Sequence, residues 1–145
     1  MCATVLWAVN AAAFTPGLRR FTLERIGREP EIAGHRIASE MLRPTSVVFT
    51  LTLNMCDCGH AIGSGRSRPA PREATAESWL AWMRGLPQAA PHLTRIAALR
   101  AWNPDDHRAV TPIGEQRASI DRLQEATLRA LPEGALLAVD YPRPG

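Results

Sequence analysis

Cys56-Asp57-Cys58-Gly59-His60 places two thiols, a carboxylate and an imidazole in one short stretch. Thiolate and imidazole are ligands that zinc accepts, and a closed structural site needs about four of them in a tetrahedron. Cys56, Cys58 and His60 supply up to three. Cys2 is the expected fourth, provided that the first strand of the chain lies beside the strand leading into the cluster. The C-x-C spacing differs from the C-x2-C of a zinc knuckle, because an extended chain holds the two sulfurs farther apart than a knuckle turn does. The same atoms allow redox chemistry. Two cysteines one residue apart can close a strained small-ring disulfide, His60 can stabilise a thiolate, and oxidation would then switch the turn. The plainer alternative makes Cys56 and Cys58 small, partly buried residues, with Gly59 as a turn and His60 in solvent.

Cys2 has a second use. Removal of Met1 would leave an N-terminal thiol beside a free amine able to act as its base. This opening resembles that of N-terminal-nucleophile amide hydrolases, several of which begin Met-Cys; the resemblance spans these two residues and the apolar strand after them, and implies an N-terminal-cysteine amide hydrolase. A wider resemblance is to small bacterial proteins of no established activity that start Met-Cys, carry C-x-C-G after a central strand, and have a later Trp-rich acidic turn. The matching pieces are Met1-Cys2, Cys56-Asp57-Cys58-Gly59 and Ala101-Trp102-Asn103-Pro104-Asp105-Asp106. That resemblance implies that the three cysteines form one site.

Other clusters have simpler explanations. Asp105, Asp106 and His107 could bind metal or exchange protons, but adjacent turn positions rarely converge, and Asn-Pro-Asp-Asp is turn composition in its own right. Arg66, Arg68 and Arg72 could grip a polyanion or a protein, yet they lack interleaved aromatics and any recognition motif, so nucleic acid is a disfavoured partner. Trp79 and Trp82, at helical spacing beside Leu80, Met83 and Leu86, read as packing rather than as a partner anchor. No G-x-S-x-G elbow, H-E-x-x-H pair or dinucleotide fingerprint occurs. The absence of lysine excludes a P-loop and any Schiff-base lysine.

All 17 basic residues are arginine, and the net charge of +3 is too modest to imply a nucleic-acid partner by itself. With 46% hydrophobic and 21% charged residues, the 145-residue chain falls in the range of one globular domain, not of a disordered or membrane-embedded chain. Three irregularly spaced cysteines point to reduced thiols and the cytoplasm. The apolar opening, Cys2 to Phe14, lacks a positively charged start and is too short to span a bilayer.

The elements that must position the cysteines follow from periodicity. Thr4 to Val9 is continuously apolar, as in a strand covered on both faces, and Thr15-Pro16-Gly17 reads as the following turn. Arg19 to Ile26 suggests a shorter strand. Pro30 to Leu42 predicts a helix, from the spacing of Ile32, Ile37, Met41 and Leu42. Ser46 to Met55 alternates, with Val47, Phe49, Leu51, Leu53 and Met55 on one face. Continued alternation would aim Asp57 into the apolar layer, so the strand is expected to end near Met55 and the chain to turn at Gly59. Helices over about Thr75 to Gly85 and about fifteen residues around Ile120 to Leu131, with strands at Leu93 to Trp102 and Leu136 to Tyr141, complete the pattern.

The expectation is therefore an α+β (or layered α/β) fold: a single domain over 1–145, with a four- to five-stranded sheet, about three helices, and a flexible Gly/Ser/Arg/Pro loop at about 61–74. Its function is expected to be that of a small cytoplasmic domain with a cysteine-cluster site, the alternatives being an N-terminal-cysteine amide hydrolase and a polyanion- or protein-binding module that uses the arginine loop. The site is Cys2, Cys56 and Cys58, with His60 as an additional ligand, and it binds zinc or acts as a thiol sensor.

Overall fold

The computed structural model describes residues 2–53, 56–63, 65, 70–102 and 109–142. The fold is α+β. A six-stranded mixed sheet runs β2 (Glu31–Ile32), β4 (Val47–Thr50), β1 (Ala3–Val9), β5 (Arg95–Trp102), β8 (Ala135–Asp140), β7 (Gly114–Ser119), and a two-stranded sheet joins β3 (Arg36–Ile37) to β6 (Ala109–Val110). The helices are α1 (Pro16–Ile26), α2 (Ala76–Ala89) and α3 (Glu125–Arg129). The sheet is thus one strand wider than the upper expectation of five. No helix among the described residues is long and apolar enough to cross a membrane.

β1 is central because it is apolar on both sides. Val5, Trp7 and Val9 face the helix layer, with Trp79, Trp82, Met83 and Leu86 of α2 and Leu18 of α1. Leu6 and Ala8 face the opposite way, against Ile37, Val48, Leu99 and Leu136, with Met41, Leu42 and Val110 packed over them. Both neighbours of β1 are antiparallel: Leu6 pairs with Thr50 of β4, and Ala3 with Trp102 of β5. Within the six-stranded sheet the β7–β8 pair is the parallel one, its crossover made by a 3-10 turn at Ile120–Arg122 and by α3.

Several local expectations are corrected. The stretch Arg19 to Ile26 is helix, not strand. Thr15 is its N-cap, accepting from the Leu18 amide at 3.2 Å, Pro16 occupies the first turn, and Gly27 ends it with φ 84°. The turn residues were a helix start. Pro30 to Leu42 is not a helix; it forms the short strands β2 and β3 and a turn at Ser39, whose hydroxyl accepts from the Met41 amide. Gly34 disfavours a helix there, and the extended path buries Ile37 while leaving Ile32 66% exposed. The long helix expected around Ile120 to Leu131 is the 3-10 turn followed by the short α3.

The strand expected over Ser46 to Met55 is regular only to Thr50, because the Leu51 carbonyl leaves the ladder to accept from Arg28 Nη1 at 2.6 Å. Asn54 and Met55 lie outside the described residues. α2 continues past Gly85 to Ala89 with Pro87 inside it. Proline has no N–H to give the carbonyl four residues back. The Tyr141 hydroxyl donates to that Met83 carbonyl instead, at 2.6 Å. Within the span expected to be a flexible loop, Ala61 and Ile62 are buried, and the Gly63 and Gly65 amides donate to the Leu128 and Arg129 carbonyls of α3.

Candidate metal centre

The turn that carries the cysteines is fastened to the first residue of β1. The Asp57 amide donates to the Ala3 carbonyl at 2.8 Å, and the Ala3 amide points at Cys58 Sγ, 3.3 Å away. Side chains of an extended segment alternate. Cys56 and Cys58 therefore project to one side and Asp57 to the other. The spacing that looked unfavourable for one ion puts the sulfurs next to each other: Cys56 Sγ and Cys58 Sγ are 3.3 Å apart. Cys2, one residue before the Ala3 contact, completes the group. The sulfurs of Cys2, Cys56 and Cys58 all lie within 4.8 Å of one another. Cys2 is exposed, and the other two are half-buried.

Asp57 points inward, the outcome the sequence argument sought to avoid. It is buried, yet not unpaired: Oδ2 accepts from the Val5 amide at 2.8 Å and from the Thr52 hydroxyl at 2.9 Å. The carboxylate thereby occupies the place on β1 that a continued β4 would have filled. Burial raises its pKa, opposed by those two hydrogen bonds; Glu73 adds to the rise and Arg28 opposes it. Oδ1 has no partner among the described residues.

His60 is not in solvent. Its amide closes the turn onto the Asp57 carbonyl at 2.9 Å, Nδ1 accepts from the Ile62 amide at 3.0 Å, and the ring stacks on Trp79 at 4.6 Å. Burial, with the charges of Arg28 and Arg100 adding to it, lowers its pKa to about 3, so the ring is neutral with its proton on Nε2. Among the described residues, the close group of ligand atoms contains the three sulfurs and not this imidazole.

Two buried arginines hold the loop from outside it. Arg100 on β5 donates to the Cys58 and Ile62 carbonyls, each at 3.2 Å, and pairs with Glu133 at 2.6 Å. Arg28 joins the Leu51 carbonyl to Glu73, with side-chain exposures of only 8% and 7% for that ion pair. Gly59 is required by close approach, since a Cβ there would lie 2.4 Å from Ala70 Cβ, where the Ala70 amide meets the Gly59 carbonyl. Sequence reasoning passed over both arginines. The available signal was Arg100 itself, a charge on the same face of β5 as Ile96 and Ala98.

The other sequence candidates are not gathered here. Arg72 is exposed with φ 72°, while Arg66 and Arg68 lie outside the described residues, as do Met1, Asp105, Asp106 and His107. No protein-family model matches the chain, and no curated protein or solved structure is significantly similar to it.

Proposed function

We propose that the protein is a small binding domain whose Cys2, Cys56 and Cys58 thiolates hold one thiophilic metal ion, zinc in the first instance. The observation that carries this reading is the convergence of three sulfurs, within 4.8 Å of one another, from two distant parts of the chain. Zinc–thiolate bonds of about 2.3 Å put tetrahedral sulfurs about 3.8 Å apart. The cluster needs only a small adjustment to reach that spacing. Three protein ligands leave a fourth position for water or a small ligand. Recruiting His60 there would require breaking its stack on Trp79 and its bond from Ile62. The bound ion would tie the start of the central strand to the turn, so binding energy would appear as folding stability. We take a reducing cytoplasm as its setting, because the site needs free thiols.

A second reading rests on the 3.3 Å Cys56–Cys58 contact. A low-molecular-weight disulfide could oxidise the pair, taking both electrons and both thiol protons and leaving a small-ring disulfide that removes two of the three ligands.

The test is element analysis of protein purified under reducing conditions without a metal-affinity tag. About one equivalent of metal is expected, lost in Cys58→Ser. Metal-free protein whose thermal midpoint ignores added zinc overturns the reading. Loss of two hydrogens in intact mass after mild disulfide treatment, in such metal-free protein, would favour the thiol switch.

A further inference from the structure

At the opposite end of the sheet from the sulfurs lies a cavity of about 350 Å³, in the volume range of small-molecule sites. β1 separates the two: its first residue touches the cysteine turn, and Asn10, just past its last, lines the cavity. Seven strand residues at about 3.3 Å each make that separation roughly 20 Å.

Charge on the cavity wall is unbalanced. Arg43, Arg95 and Arg117 line it against one carboxylate, Asp140, which leaves two positive charges over. Asp140 organises them. Arg95 Nε meets Oδ1 at 2.6 Å and Arg117 Nε meets Oδ2 at 2.5 Å, so one carboxylate holds two guanidiniums side by side by their inner nitrogens. Burial would raise the Asp140 pKa, but the hydrogen bonds and charges of Arg95 and Arg117 outweigh it and keep the group ionised. Arg95 Nη1 also donates to the Met41 carbonyl. Among the described residues, both terminal nitrogens of Arg117, Arg95 Nη2 and the whole Arg43 guanidinium lack a protein partner. Guanidinium forks with free outer nitrogens match the oxygens of phosphate and carboxylate groups. Ser46 and Thr94 also line the wall, and Asn10 fixes its rim by donating to the His92 carbonyl at 2.8 Å and accepting from the Thr94 amide at 3.0 Å.

We propose that this cavity binds a small molecule bearing a dianionic oxyanion group, a phosphate monoester or a dicarboxylate, through Arg43, Arg95 and Arg117. Asp140 is a positioning residue that sets the two inner guanidiniums. The volume of this half-open cavity suits a metabolite rather than a polymer. The site is independent of the metal reading and stands if that reading fails.

The test is calorimetric titration with inorganic phosphate, pyrophosphate and citrate at fixed ionic strength, with chloride as the control. Saturable one-to-one binding is expected for at least one of the three, weakened about tenfold in Arg43→Gln and at least as much in Arg117→Gln. Cys58→Ser is expected to leave it unchanged. Among the described residues Arg43 has no ion-pair partner to lose, so its variant decides the matter if Arg117→Gln misfolds. Absence of saturable binding at millimolar anion, or affinity unchanged in Arg43→Gln, overturns the proposal. A response equal to that of chloride would reduce it to general screening and overturn it equally.

Discussion

His60 and Asp57 are buried titratable groups with opposite pull on acid stability. The imidazole has its folded pKa near 3, below its ordinary 6.5, so its contribution is intact above about pH 6.5 and is lost as pH falls from there toward 3, where the unfolded chain takes a proton that the folded one refuses. The slope approaches about 1.4 kcal/mol per pH unit within that window. Asp57 has a raised pKa, so its folded form protonates first and its term becomes more favourable as pH falls through that value. Comparing variants isolates His60. His60→Asn keeps an acceptor for the Ile62 amide but loses the stack, so the metal-free variant should be less stable at pH 7.5, with a flatter decline to pH 4.5, in urea unfolding. Equal slopes would show that the imidazole is not held neutral. At this scale the cysteines were legible because thiols announce their chemistry by type. Arg28 and Arg100 were not, since a guanidinium reads as surface until the loop carbonyls around it are known.

Among the elements, legibility depended on whether the apolar pattern was decisive. The continuous run of β1, the alternation entering β4 and the stripe of α2 left one reading each. α1 failed as a helix in the sequence because Thr15-Pro16-Gly17 serves a turn and a helix start equally well. β7 carried no signal at all: Gly114 to Ser119 is mostly exposed, and its strand character comes from pairing with β8. The far end of α2 offers a test of packing against propensity. Tyr141→Phe removes the donor that compensates Pro87 and should cost about 1–3 kcal/mol by leaving the Met83 carbonyl unsatisfied. In a Pro87→Ala background, residue 87 regains an amide for that carbonyl, and the cost of Tyr141→Phe should fall to less than half. Urea denaturation of the four proteins measures the coupling; equal costs in both backgrounds would exclude this compensation.

For the whole molecule, strand order could not be read because the pairings that define it are remote in sequence: Ala3 lies opposite Trp102, and Arg95 opposite Asp140. The same pairings make β1 a member shared by both ends of the sheet. If the sulfurs hold an ion, zinc should slow hydrogen exchange at the Ala3 and Asp57 amides in wild type but not in Cys58→Ser, while the Thr94 amide at the far end exchanges at an unchanged rate. Exchange at the Ala3 and Asp57 amides that does not respond to zinc would mean that no ion is held at this junction.

The stacked aromatics behind the turn give the protein an optical readout of its own. Trp7, Trp79 and Trp82 pack ring against ring with centroids 5.0 to 5.5 Å apart, and His60, two positions beyond Cys58, caps the stack. Trp102 lies apart, half-exposed. Emission from three of the four indoles is thereby tied to the conformation of the segment bearing the sulfurs, and ultraviolet fluorescence can follow events there without an attached dye.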